Sequence, residues 1–287
     1  MNHLLSPNKV ITGAKYASPE AASLTAANTH LKILITPSQL VYLVADINSK
    51  KVVLLQPYQF SRITSAEEWR LSVDSIFEKD DWLRKEVAEK KTGIFTSSFT
   101  LVPAVLDLES SGKELLAMNC AVEAESVIFS DPVAAGDIHL VYTLSPAIVQ
   151  KCRVYGGGSP VHALTGFINY LLAIAGPDGK EHLFVYVQST SFQLIFIRNK
   201  SLLFCNSFGY QSPEDFMYHL LFACKQLRID PELIPLTLMG EVMRDSTLFL
   251  LLVKYIRRVE FSKPHNALRF SDDYPLPPHF FFNLFCL

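Results

Sequence analysis

Few residues in this sequence have both the type and the spacing that chemistry needs. Gly156-Gly157-Gly158-Ser159-Pro160 is rich in glycine, but it lacks the lysine of a phosphate-binding P-loop and follows no clear strand. It reads as a hinge or turn. His162, just after it, could be polar core, a helix start, a contact between lobes or a catalytic group. His139, His182, His219, His265 and His279 have no partner three or four residues away, so no metal site is expected. No Ser-His-Asp set or Gly-x-Ser-x-Gly elbow is present, and Asp272-Asp273 reads as a solvated loop rather than a carboxylate dyad. Polar groups do gather at three strand ends: Thr36-Pro37-Ser38-Gln39, Gln188-Ser189-Thr190-Ser191 and Gly240-Glu241.

The elements around those three places repeat. Leu31 to Phe60 reads as three strands joined by turns at Pro37-Ser38 and at Asn48-Ser49-Lys50. His182 to Tyr210 reads the same way. A constant offset of 152 residues sets Leu31 on Leu183, Thr36-Gln39 on Gln188-Ser191 and Leu43-Val44 on Ile195-Phe196. A repeat this long indicates duplicated lobes rather than a solenoid. Each meander is followed by helix, strand and helix. The first helix is expected over about 65–91, with Trp69, Val73, Ile76, Leu83 and Val87 on one stripe. In the second copy, Ser212 and Pro213 open a helix whose stripe holds Phe216, Leu220, Ala223, Cys224 and Leu227. A strand is expected over 94–102, with Pro103 opening a helix, and an insertion near 107–137. The organisation expected is an arm over 1–29, a first lobe over 30–177 and a second over 178–287.

Composition narrows the class. Of 287 residues, 49% are hydrophobic and 19% charged, with a net charge of -2, which supplies a large core and no basic face for nucleic acid. Five scattered cysteines without a Cys-x-x-Cys pair read as reduced, buried thiols. The start, MNHLLSPNKVITGAKYAS, lacks the basic opening and apolar core of a signal peptide. The longest apolar run, Leu248 to Val253, is far short of the ~20 residues that span a bilayer. A cytoplasmic protein without membrane insertion is expected.

Two lobes, each β-β-β-α-β-α, give a mixed α/β chain that resembles the actin, hexokinase and Hsp70 superfamily, the actin-like (ribonuclease H-like) ATPase fold. Within it the chain is similar to the actin-like proteins of type IV pilus and type II secretion machinery. It is most similar to an uncharacterised bacterial family of putative actin-like ATPases. Thr100-Leu101-Val102-Pro103, Asn206-Ser207-Phe208, Glu214-Asp215-Phe216-Met217-Tyr218, and Gly240-Glu241 with Asp245-Ser246 carry the narrower likeness, which covers Leu31 to the C-terminus.

The resemblance implies a nucleotide cleft between the lobes, with ATP or ADP and Mg²⁺ as its ligands. Active members carry Asp-x-Gly-Thr/Ser at the first turn of each lobe. Glycine lets backbone N–H groups close around phosphate oxygens, and the Asp holds Mg²⁺ through water. Here the first turn has neither Asp nor Gly, and Pro37 removes a donor; the second keeps hydroxyls only. Ser38, Ser189, Thr190, Ser191, Gly240 and Glu241 are the candidate residues of a degenerate nucleotide cleft. No catalytic residue and no cofactor is expected. Two functions follow from different classes. One is a non-enzymatic module that binds a protein partner through the groove, the insertion or the apolar tail. The other is an atypical ATPase or phosphotransferase that borrows Asp46 or Glu241. Phe280, Phe281, Phe282 and Phe285 would form a large patch if exposed, or would pack on a lobe.

Overall fold

The computed structural model describes residues 10–61, 63, 65–106, 108–134, 137–175, 180–263, 268–270 and 274–287, with no side-chain description for 108–111. Gly176-Pro177, His265, Ala267 and Asp272-Asp273 lie outside the described residues. The first lobe begins with β1 (Val10–Thr12) and β2 (Tyr16–Ala17), followed by the meander β3 (Thr29–Ile35), β4 (Gln39–Asp46) and β5 (Val52–Phe60). Then come α1 (Ala66–Lys79), α2 (Asp81–Arg84) and β6 (Glu89–Ile94). An inserted unit follows: β7 (Phe99–Pro103), α3 (Leu108–Ala117), β8 (Val127–Val133) and β9 (Ile138–Leu144). The lobe ends with α4 (Pro146–Tyr155), β10 (Val161–His162) and α5 (Ala163–Ile174). The second lobe comprises β11 (Glu181–Val187), β12 (Ser191–Arg198), β13 (Ser201–Gly209), α6 (Pro213–Leu227), β14 (Pro235–Gly240), α7 (Thr247–Tyr255), β15 (Arg258–Phe261) and α8 (Phe282–Phe285).

The two meanders coincide strand for strand. β3 and β11, and likewise β4 and β12, start and stop 152 residues apart. Their hairpins also share a register, Ile35 opposite Leu40 and Val187 opposite Phe192. The first sheet runs β1-β5-β4-β3-β6-β10, with β2 also on β5; the second runs β13-β12-β11-β14-β15. Both β6 and β14 lie parallel to the first strand of their meander. The insertion forms a separate sheet, β7-β9-β8.

The strands are apolar on both faces because both are covered. In the second lobe, Leu183, Val185, Leu194 and Phe196 pack with Phe216 and Leu220 of α6. The opposite face, through Phe184, Tyr186, Ile195 and Ile197, joins the core of the first lobe. The crossing is made by α5 and α8, where Phe282 lies 6.2 Å from Phe167 and 5.4 Å from Tyr170 between ring centroids. Phe281, Phe282 and Phe285 are therefore buried, and the tail is core, not a patch.

Three expected boundaries move. The helix over 65–91 stops at Lys79, where Asp80 accepts from Trp82 N at 2.8 Å and starts a new short turn. The lysine-rich stretch beyond it is strand, because β6 fills a parallel slot between β3 and β10; position in the sheet outweighs helical propensity. The strand expected over 94–102 is two strands in different sheets, β6 and β7. Pro103 closes β7, and α3 starts at Leu108 instead.

Candidate functional site

The turn between β3 and β4 lies where the first phosphate loop would be, and its hydrogen bonds are already made. Thr36 is fully buried. Its Oγ1 accepts from Ser38 N at 3.2 Å and Gln39 N at 3.1 Å, and Thr36 N donates to Gln39 O at 2.8 Å. The Thr36 carbonyl accepts from Trp69 Nε1 of α1 at 2.9 Å, and Ser38 O accepts from Phe60 N at 2.8 Å. The amides that would face phosphate oxygens are held by a hydroxyl of their own turn.

The second turn mirrors the first. Gln188 N donates to Ser191 O at 2.8 Å, and Thr190 O accepts from Tyr210 N at 3.1 Å. Gln188, almost fully buried, takes Ser191 Oγ on its Oε1 at 3.0 Å, and its carbonyl accepts from Tyr210 OH at 2.6 Å. Ser189 and Thr190 sit exposed at the tip. Gln193 Nε2 reaches Ser207 Oγ at 3.3 Å, while Gln188 Nε2 and Gln193 Oε1 are buried without a partner.

Gly240 closes the end of β14. Its φ of +91° and the Val187 carbonyl against its Cα leave no room for a side chain. Glu241 N then donates to Val187 O at 2.8 Å. This glycine brings β14 onto β11. The Glu241 carboxylate accepts a hydrogen bond from Gln39 Nε2 of the opposite lobe. Among the described hydrogen bonds, Glu241 is the one candidate of the six that crosses to the first lobe. Burial pushes its carboxyl above the usual range, partly offset by the Gln39 amide, and burial together with this charge lifts Tyr210 to about 12. A phosphate beside this carboxylate would be repelled; two unit charges at 4 Å cost about 4 kcal/mol at an effective dielectric constant of 20.

The cleft is bounded on its other side by the tail. Gly240 N donates to His279 O at 2.8 Å, and His279 Nε2 donates to Val242 O at 2.9 Å. Tyr186 OH donates to Asn283 Oδ1 at 2.6 Å. Lys32 Nζ of β3 donates to Phe285 O at 2.7 Å, and burial lowers that ammonium to a pKa of about 8. Gly166 of α5 has no side chain to obstruct the Cys286 carbonyl that passes against it.

The other candidates take structural places. His162 caps α5, its Nδ1 accepting from Leu164 N at 3.2 Å and its Nε2 donating to Thr96 O at 3.0 Å. Packed among Phe95, Phe99 and Tyr142, it is held neutral by burial, with a pKa of about 4. Asp131 of β8 ties the insertion to α5 by accepting from His162 N at 2.7 Å and Thr165 Oγ1 at 2.9 Å. Gly156 ends α4 and accepts from Thr92 Oγ1 at 2.9 Å, so the glycine run is a packed connection. Asp46 accepts from Asn48 N at 2.8 Å, at the end of β4 remote from the cleft, and cannot serve there. Among the described residues no group of three His, Cys, Asp or Glu could hold a metal ion. Thr36, Gln39 and Gln188 stand in the turns that the sequence marks but not among its candidate site residues, and Gln193 is not marked at all, although a glutamine inside an apolar strand run was an available signal.

A family model described as a protein of unknown function (DUF3822) matches residues 19–259. A solved protein from Bacteroides thetaiotaomicron, described as having an actin-like ATPase fold and unknown function, superposes with a TM-score of 0.75. It is 17% identical, and the match covers 91% of this chain and 95% of that one. A PilM–PilN type IV pilus biogenesis complex gives a TM-score of 0.50 at 15% identity, covering 84% of this chain and 90% of the other. No curated protein matches the sequence. Among the described residues no helix is long and apolar enough to cross a membrane.

Proposed function

We propose, from the premise that this chain belongs to the DUF3822 family and has the actin-like ATPase fold, that it is a non-catalytic binding or assembly module of the cytoplasm. Its interlobe cleft is occupied by its own side chains, and its partner is a protein. The observation that carries this reading is the Gln39–Glu241 bond between the lobes, beside a turn whose amides are taken by Thr36 Oγ1. Hydrolysis of a phosphoanhydride needs donors and a cation for the charge on the transferred group. The cleft offers a carboxylate without a metal cluster among the described residues, and both turns lack the Asp and Gly that would supply these functions.

A second reading, an atypical nucleotide-binding ATPase or phosphotransferase, is favoured by one observation: the unpartnered buried Gln188 Nε2 and Gln193 Oε1 in the second turn. A thermal-shift titration separates the two. Ligand at ~100 times its dissociation constant adds about 2.7 kcal/mol. Millimolar Mg-ATP and Mg-ADP are expected to leave the melting temperature unchanged. A saturable rise that disappears in Ser189→Ala or Glu241→Gln would replace the first reading with the second.

A further inference from the structure

The third strand of each meander has been treated differently by the two lobes. In the first lobe the outer edge of β5 is covered by the chain itself: Val10, Ile11 and Thr12 pair antiparallel with Phe60, Gln59 and Tyr58, and Tyr16 and Ala17 with Leu55 and Leu54. In the second lobe β13 occupies the same place, and among the described residues no strand covers its outer edge. Open edges are commonly blunted by charge or proline, because their free backbone groups recruit other strands. β13 is nine residues long, SLLFCNSFG, and carries neither; a bulge at Leu203 interrupts its pairing with β12 near the turn, and the ladder is regular from Phe204 to Gly209. Leu203 is 47% exposed. Ser207 N, for want of a strand, donates to the side-chain oxygen of Asn206 at 2.8 Å.

The edge faces a groove. Across from β13 stands β7, itself an edge of the inserted sheet. Between them lies a cavity of about 550 Å³, with Thr100, Leu101 and Asn119 on one side and Leu203, Phe204 and Asn206 on the other. That is within the range of binding sites, roughly 300–1,000 Å³. A second cavity, of about 860 Å³, shares Ile138 and Leu202 with it and lengthens the groove towards the β12–β13 turn. No charged residue lines the first cavity among the described residues.

We propose that the groove between β7 and β13 binds an extended, uncharged segment of a partner protein, which adds to β13 as a strand. Backbone hydrogen bonds would supply much of the affinity, and the apolar and amide side chains of the groove would select sequence. The arm on β5 shows that this strand position accepts such an addition. The uncharged lining of the first cavity selects against charged segments there, whose desolvation none of its residues offsets, while Asp137 and Lys200 line only the second cavity. A whole second copy of the chain is disfavoured as occupant, because residues of β7 and β13 line one cavity of about 550 Å³, a volume on the scale of a short segment rather than of a folded sheet. The inference rests on the binding-module reading, but the two fail separately. Nucleotide binding would remove that reading and leave the β13 edge untouched, whereas failure at β13 would leave the self-filled cleft as it stands.

A random decapeptide library displayed on phage, selected on the full chain, provides the probe. Enriched sequences should be uncharged, alternating and proline-poor. A labelled selected peptide should bind at least tenfold more weakly to Leu203→Lys and to Asn206→Lys, both at exposed positions where the fold is retained. Amide exchange should slow within 201–209 on binding. The proposal is overturned if no peptide is enriched, if both variants bind as the parent does, or if protection appears elsewhere. It is equally overturned if the unliganded chain self-associates with 201–209 protected, which would make a second copy the occupant.

Discussion

Replacing Thr36 by valine tests the self-filled turn most directly. The substitution keeps the β-branched shape and removes only Oγ1, the acceptor for Ser38 N and Gln39 N. A buried donor left without a partner costs about 1–3 kcal/mol. Gln39 is almost fully buried and Ser38 only partly, and both bonds exceed 3 Å, so the sum is roughly 2–3 kcal/mol. At roughly 2–4 °C per kcal/mol for a chain somewhat smaller than this one, the melting temperature should fall by roughly 4–12 °C. Thr36→Ser keeps the hydroxyl and loses one methyl, about 1 kcal/mol. The order expected from urea or thermal melts is threonine, then serine, then valine, whereas apolar burial alone would put valine first and serine last. If valine is at least as stable as serine, the hydroxyl does not hold the turn, and the argument that its amides are unavailable to phosphate fails with it.

Three further outcomes follow. Gly240→Ala should cost more than about 3 kcal/mol in urea unfolding, since a methyl meets the Val187 backbone and the residue has φ +91°; a loss below about 0.5 kcal/mol in the same assay would contradict the packing described. Stability should fall as pH drops from 7 to 5, because the unfolded chain protonates histidine near 6.5 while folded His162 and His30 stay neutral until about 4. For His162 that is about 2 kcal/mol at pH 5, and His162→Asn, which keeps a cap acceptor, should flatten the slope by that amount. An unchanged slope would mean His162 is not buried in neutral form. Phe282→Ala should cost about 3–5 kcal/mol and speed amide exchange in both lobes; a loss under about 1 kcal/mol would show that the tail does not join them.

The meanders were legible because alternation and turn residues are local, and the 152-residue offset survives in the strand boundaries themselves. The run around Lys90 was misread as helix because its strand identity comes from neighbours β3 and β10, which no local pattern contains. The absence of Asp and Gly from both turns was readable. What replaces them was not: Gln39 and Glu241 are 202 residues apart, and the role of Thr36 depends on where a turn points one hydroxyl. The apolar tail was visible in composition, but the slot beside Gly166 and Lys32 that receives it was not.

That slot has a consequence for how the chain is made. Lys32 finds its acceptor 253 residues later, and Leu287 packs against Gly93. During synthesis at ~5–20 residues per second, the first lobe therefore emerges from the ribosome with an open apolar groove and a buried-site lysine still without its carbonyl. It can fold only provisionally until residues 281–287 follow. The step that closes its core therefore waits for a carbonyl made 253 residues after the lysine it receives.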